Sequence, residues 1–342
     1  MRMYVVLPLL LAAFVLYAEP TTTRQKFLQL VDRPRVALNP QLDPNTAIGE
    51  GLDQQRFQYN SELGERVPGI LVKQASLKTT SRLPVVIVLH GTGGSKDASL
   101  PYLRILARNG FLAIAIDGRY HGERRSAEAA NGKSPSAYAA AMIRRYHTGS
   151  GLPFLYDTVW DILRLLDYLE TRPDVDTRNI GAIGFSKGGM ELYLAAAVDE
   201  RIRVAVPCIG LQSFRWALDH DAWQSRVGTF QAAVDDAARD RGVAYVDANV
   251  VRKFYDRVAP GVYTEFDGPR MAPLIAPRPL LVINGDSDAR TPLPGLMECV
   301  DAARAAYKDS DAFEFLLQPN TGHKVTAESF QKAVQWCVRW LR

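Results

Sequence analysis

The sequence predicts an α/β fold in which a mainly parallel sheet is covered by helices on both faces, with a helical cap inserted after a strand at about residues 204–209. Three observations carry this reading. From residue 66 onward, short apolar β-rich runs alternate with longer helical patterns, the signature of βαβ units. The middle runs are continuously hydrophobic rather than alternating, which buries both faces of those strands. About seventy residues separate the run at Val204 from the one at Pro279, far more than a single crossover helix needs.

Strands are expected at 69–73, 84–89, 112–116, 180–185, 204–209, 279–283 and 313–318. Between them, a helix over 158–171 places Val159, Ile162, Leu163, Leu166 and Leu169 on one stripe, and Pro173 follows its end. Residues 187–198 and 324–341 carry the same period. The cap, about 211–272, contains Phe214, Arg215, Trp216, Trp223, Phe230, Phe254, Tyr255 and Tyr263. Any of these aromatics either lines a pocket or packs the cap onto the core; Arg215 and Trp216 are the candidate substrate contacts. Residues 19–60 are polar and proline-punctuated apart from an amphipathic stretch from Lys26 to Val31. They read as an extension outside a main domain of residues 61–342.

Met3 to Leu16 form an almost unbroken apolar run behind Arg2, ahead of Tyr17-Ala18-Glu19-Pro20. This fits an export signal over residues 1–18, with an uncleaved anchor or a buried helix as alternatives. No other stretch is apolar enough to span a bilayer, so no stable membrane insertion is expected once the signal is removed. The 342 residues are 47% apolar and 23% charged, which supports a sizeable core and argues against disorder. Lys and Arg exceed Asp and Glu by 41 − 37 = 4, and the basic residues are scattered, so nucleic acid is not expected as a partner. The three cysteines, Cys208, Cys299 and Cys337, contain no C-x-x-C pair. Cys208 reads as a buried small hydrophobe; a Cys299–Cys337 disulfide has no pattern behind it.

Gly184-Phe185-Ser186-Lys187-Gly188 lies between the apolar strand ending at Ile183 and a helical pattern. A serine on so sharp a strand-to-helix turn needs glycine neighbours, because side chains there meet adjacent backbone. The helix N-terminus then offers free N–H groups to a developing oxyanion. Serine is a poor nucleophile at its own pKa, so a base and an orienting carboxylate are required. Ile283-Asn284-Gly285-Asp286-Ser287-Asp288 puts two acids in the loop after a strand, and either Asp288 or Asp286 fits, the other then bracing the turn. After the last strand comes Gln318-Pro319-Asn320-Thr321-Gly322-His323. Of the five histidines only His323 follows both serine and acid. His90-Gly91-Thr92-Gly93-Gly94 is a loop whose backbone can approach a carbonyl closely, so the oxyanion donors are expected to be the backbone N–H groups of Lys187 and Thr92, with Gly91 as the alternative. Arg119 and His121, within Asp117 to Arg124, either contact substrate or brace their loop. Nothing there has metal-ligand spacing, so no metal is expected.

The His90 to Gly94 loop, Asp117-Gly118-Arg119-Tyr120-His121-Gly122-Glu123-Arg124, Gly184 to Met190, the Asp288 loop, the Gly322-His323 turn and Ile209-Gly210-Leu211-Gln212-Ser213-Phe214-Arg215-Trp216 resemble the α/β-hydrolases related to dienelactone hydrolase and acetylxylan esterase, including esterase-like hydrolases of plants and bacteria. The resemblance runs from about residue 24 to the end. It implies the α/β-hydrolase fold, a Ser186, Asp288, His323 triad and no cofactor; Gly285-x-x-Asp288 followed by Pro292 is similar to that family's acid loop. Lys187 departs from the family, where a less polar residue is usual. The expected activity is serine-dependent hydrolysis of a small or acylated carboxylic ester. Two alternatives stand beside it, a peptidase of the prolyl-oligopeptidase type and a non-catalytic binding protein on the same scaffold.

Overall fold

The computed structural model describes residues 21–77, 82–125, 136–308 and 310–342. The expected export signal, residues 1–18, lies outside them. Ten strands form one sheet among the described residues: β1 (Gln41–Leu42), β2 (Thr46–Ala47), β3 (Leu52–Glu62), β4 (Glu65–Gln74), β5 (Leu83–Leu89), β6 (Leu112–Ile116), β7 (Val175–Phe185), β8 (Ile202–Cys208), β9 (Leu280–Gly285) and β10 (Phe313–Gln318). Their order is β1-β3-β4-β6-β5-β7-β8-β9-β10, with β2 paired to β3. Every pairing from β6 to β10 is parallel, and those of β1 to β4, including β4 with β6, are antiparallel. This is the α/β-hydrolase fold, with the carboxyl ends of the parallel strands on one edge.

The side chains of the apolar strands divide by parity. Val85, Ile87 and Leu89 enter one core cluster, and Val86 and Val88 enter the other. Helices α2 (Leu100–Arg108) and α12 (Ala327–Leu341) cover the second face through Leu103, Leu106, Phe330 and Val334. The first face is covered by α1 (Thr23–Val31), α4 (Tyr156–Glu170), α5 (Lys187–Val198) and α11 (Leu293–Tyr307). Helix α4 starts two residues before the expected 158, and α5 has the expected bounds.

Most of β3 falls within the extension expected over residues 19–60. Strand β3 pairs with β4 along its whole length, so a boundary at residue 60 would cut through the sheet. Its glutamines make Leu52–Glu62 look like a polar linker, but Phe57, Tyr59 and Ser61 alternate inward while the glutamines stay part-exposed, as expected of a strand near a sheet edge. The Cys299–Cys337 bridge does not form; all three cysteines are free and buried.

Between β8 and β9 lie α6 (Phe214–Asp219), α7 (Gln224–Val227), α8 (Gln231–Asp240), α9 (Ala248–Val258) and α10 (Gly268–Met271). Several aromatics of this segment pack together. Phe214, Phe230 and Tyr255 surround Phe154 at centroid distances of 5.8, 5.3 and 5.4 Å. Phe254 stacks on Tyr146 of α3 (Ala137–Thr148) at 6.0 Å. The buried Asp267 carboxylate ties both ends of the insertion together, accepting from Ser213 Oγ and the backbone N–H groups of Phe214, Arg215 and Gly268.

Candidate active site

Strand β7 is central, between β5 and β8, and Ser186 stands at its carboxyl end with φ +52°, the strained left-handed region that a side-chain-bearing residue seldom adopts. The turn is possible because its neighbours lack side chains. A Cβ on Gly184 would lie 2.2 Å from the Gly188 carbonyl oxygen, and one on Gly188 would lie 2.3 Å from that of Leu89. The Ser186 N–H donates to the Cys208 carbonyl at 2.9 Å, locking the turn to β8.

Strands β9 and β10 are parallel neighbours, so the loops that follow them emerge side by side and bring Asp288 and His323 together. His323 Nε2 lies 2.8 Å from Ser186 Oγ, and its Nδ1 lies 2.8 Å from Asp288 Oδ2. The Asp288 side chain is fully withdrawn from solvent, and its other oxygen accepts the Arg290 N–H at 2.9 Å. That leaves Nδ1 to donate to the carboxylate and Nε2 to accept from the serine hydroxyl, the arrangement in which a histidine removes a serine proton.

Asp286, the other acid, points elsewhere. It accepts the backbone N–H groups of Asn320 (2.9 Å) and Thr321 (3.1 Å), fastening the turn that carries His323, and the Ser287 hydroxyl, followed by these two bonds, holds its carboxyl below the usual range. Gln318 supports the same turn from the other side, donating to the Lys324 carbonyl and accepting the Thr326 N–H, both at 2.9 Å. Sequence reasoning assigned Gln318 no part. Its only signal is its place at the end of β10, just before the histidine turn.

Lys187 opens α5, where a backbone N–H has no intrahelical acceptor. Thr92 lines the cavity at Ser186, and a Cβ on Gly91 would lie 3.4 Å from the Ser186 Cβ. The glycine loop and the helix start therefore flank the serine. The Lys187 side chain is buried against Glu191, Nζ to Oε1 2.5 Å, as an ion pair. Burial pushes the Glu191 carboxyl upward, with Lys187 opposing.

His90 shapes the glycine loop. Its Nε2 accepts the Gly118 N–H at 3.0 Å and its Nδ1 donates to the Gly91 carbonyl at 2.8 Å, a pairing only the neutral imidazole can make. Burial, then the Lys187 cation, lower its pKa to about 4. His121 donates from Nδ1 to the Arg119 carbonyl and is lowered to about 2 by burial, then by Lys187. Arg119 grips the buried Asp161 through Nε and Nη2, both 3.1 Å, and Asp117 accepts the Lys96 N–H at 2.8 Å and that of Glu123 at 2.9 Å. These residues brace their loop.

A cavity of about 310 Å³ lies under the cap and a second, of about 370 Å³, opens beside the His90 to Gly94 loop. Both are lined by Thr92, Ser186, Ile209, Arg290 and His323, so the serine hydroxyl faces two compartments. Arg215 and Trp216, the expected substrate contacts, line neither. Helix α6 turns Phe214, Ala217 and Leu218 inward, as i, i+3 and i+4 spacing dictates. Arg215 then points to solvent beside Asp219, and Trp216 stacks on His220 at 4.5 Å. The cap contributes Gln212 and, from a stretch no motif marks, Gln224, Ser225, Arg226, Gly228, Thr229 and Phe230.

A family model described as "Glucuronyl esterase, fungi" matches residues 123–310, a stretch that includes Ser186 and Asp288. The Bacillus subtilis (strain 168) protein YtaP, whose name carries only a provisional hydrolase assignment, is 28% identical over 81% of this chain and 84% of its own. Among solved structures, an acetyl xylan esterase 1 from Thermoanaerobacterium sp. JW/SL YS485 superposes with a TM-score of 0.68 at 17% identity, covering 94% of each chain. A glucuronoyl esterase from Solibacter usitatus gives 0.64 at 16% identity, over 93% of this chain and 92% of that one. At those identities the two structures share the fold.

Proposed function

The chain belongs to the glucuronyl esterase (fungi) family, and from that membership we propose that it cleaves carboxylic esters through an acyl-enzyme on Ser186. It is a serine hydrolase of the carboxylesterase type. The observation that supports the residue roles is His323, held between Ser186 Oγ and Asp288 at 2.8 Å on each side.

His323 Nε2 takes the hydroxyl proton as Ser186 Oγ bonds to the ester carbonyl carbon. The carbonyl becomes a tetrahedral oxyanion facing the backbone N–H groups of Lys187 and Thr92. Asp288 keeps the imidazole in the Nδ1–H tautomer and stabilises the imidazolium that forms. The carbon–oxygen bond to the alcohol breaks as His323 returns its proton to that oxygen. Water enters, His323 removes its proton, and a second tetrahedral species releases the carboxylic acid and regenerates Ser186.

The test is hydrolysis of p-nitrophenyl acetate or butyrate by the purified protein, with Ser186→Ala lowering kcat by about 10⁶. Undiminished turnover in that variant rules out the assignment. Export also belongs to this proposal, on the strength of the apolar run behind Arg2. Among the described residues no helix is long and apolar enough to cross a membrane.

A further inference from the structure

Arg226 belongs to the four-residue helix α7 of the cap and is 95% withdrawn from solvent, yet it lines the cavity shared with Ser186 and His323. Its Nε donates to Ser225 Oγ at 3.1 Å. Its Nη2 is buried without a hydrogen-bond partner, and among the described residues no carboxylate lies within ion-pairing distance of the guanidinium. Two acids are close enough to act on it electrostatically, Asp288 and Asp267. Both are already engaged, Asp288 by His323 and the Arg290 N–H, and Asp267 by Ser213 and three backbone N–H groups.

A buried guanidinium without a counter-charge is strongly disfavoured, and apolar residues of similar volume would fill such a place at less cost to the fold. This one is nevertheless held firmly. Its guanidinium carbon lies 5.5 Å from the Phe214 ring centroid, and the Tyr255 hydroxyl donates to its carbonyl at 2.8 Å. Burial lowers its pKa only to about 10, so it is a cation at neutral pH. The rest of the lining reinforces the charge. Arg290 stands at the meeting point of both cavities, Lys187 is paired with Glu191, and among the described residues no Asp or Glu lines the cap cavity.

We propose that Arg226 receives a carboxylate on the portion of the ester seated under the cap, so that this site prefers anionic esters to neutral ones of the same shape. The inference rests on the ester-hydrolase reading above and narrows its substrate class. A planar fork with a free donor suits a carboxylate, which accepts two parallel hydrogen bonds. A cavity of about 310 Å³ accommodates a short dicarboxylic acyl chain or a small hydroxy acid.

The experiment uses the full protein and two shape-matched pairs of esters. Monoethyl succinate against ethyl 4-methylpentanoate puts the carboxylate on the acyl side. O-acetylglycolate against isobutyl acetate puts it on the alcohol side. In at least one pair the charged ester should show a kcat/KM about ten- to a hundred-fold higher, as a charge-assisted hydrogen bond provides. The pair that responds identifies which half of the ester lies under the cap. Arg226→Gln should reduce that ratio at least tenfold, and Arg226→Lys, which keeps charge without the fork, should reduce it less. Charged-to-neutral ratios at or below one in both pairs for the unmodified protein overturn the proposal, as does an unaltered ratio in Arg226→Gln. If that variant does not fold, protection of Ser186 from fluorophosphonate labelling decides, with succinate expected to protect the unmodified protein and succinamide not; equal protection by the two overturns it. Absence of both turnover and labelling is a different outcome, which removes the hydrolase reading and this inference with it.

Discussion

The Lys187 ammonium lies 2.5 Å from the Glu191 carboxylate, one helical turn further along α5, and both side chains are withdrawn from solvent directly beside the serine turn. A cation next to the nucleophile would otherwise attract anionic substrate; here its charge is spent inside the protein. Removing one partner leaves the other buried and uncompensated. Glu191→Ala should lower unfolding free energy by about 3–5 kcal/mol in urea titrations, and adding Lys187→Met should recover a good part of it. Equal losses in the single and double variants would show that the pair is not a unit.

Asp288 and Asp286 stand two residues apart and should respond differently. Asp288→Asn should lower kcat by about 10⁴, because an amide no longer holds the Nδ1–H tautomer of His323. Asp286→Ala removes the acceptor of the Ser287 hydroxyl and of the Asn320 and Thr321 N–H groups and should lower kcat by about ten-fold through looser placement of His323. A larger effect at Asp286 than at Asp288 would reverse the roles.

The buried carboxylate of Asp267 joins the two ends of the cap. Asp267→Ala leaves three backbone N–H groups without this acceptor and should destabilise by about 3 kcal/mol. Since the cap roofs the cavity, KM should rise more than kcat falls. Steady-state kinetics beside thermal melts would read both effects, and a KM equal to that of the unmodified protein would separate the anchor from the pocket.

Acid should weaken the fold before the carboxylates titrate. His90 and His121 are held neutral, with pKa values lowered to about 4 and about 2 by burial and the Lys187 cation, against 6.5 for an ordinary histidine. Below about pH 6.5 the unfolded chain therefore binds protons that the folded chain refuses, and stability falls as pH drops toward 4. For His90 alone the loss is on the order of 3 kcal/mol. His90→Gln should flatten this part of the profile of unfolding free energy against pH, since a neutral amide has no proton to take up. A profile level from pH 7 to 4 in the unmodified protein would contradict it.

Much of this protein was legible without coordinates. Continuous apolar runs separated by helical periods determine a buried parallel sheet, and a glycine-flanked serine between a strand and a helix determines the turn on which it sits. Serine, acid and histidine can meet because the loops after parallel strands all open on one edge. These are local patterns, each written in consecutive residues. Strand β3 escaped that reading because its glutamines mask a two-residue alternation visible only once Phe57 and Tyr59 are seen facing inward. The choice between Asp288 and Asp286 rested on resemblance until the fold set one against His323 and the other against the Asn320 turn. The cap lay furthest from sequence reasoning. Which of its arginines points to solvent, as Arg215 does, and which is buried unpaired beside the serine, as Arg226 is, depends on how short helices pack against residues distant along the chain, as Phe214 does against Phe154. Long-range packing of that kind leaves no period or motif in the chain.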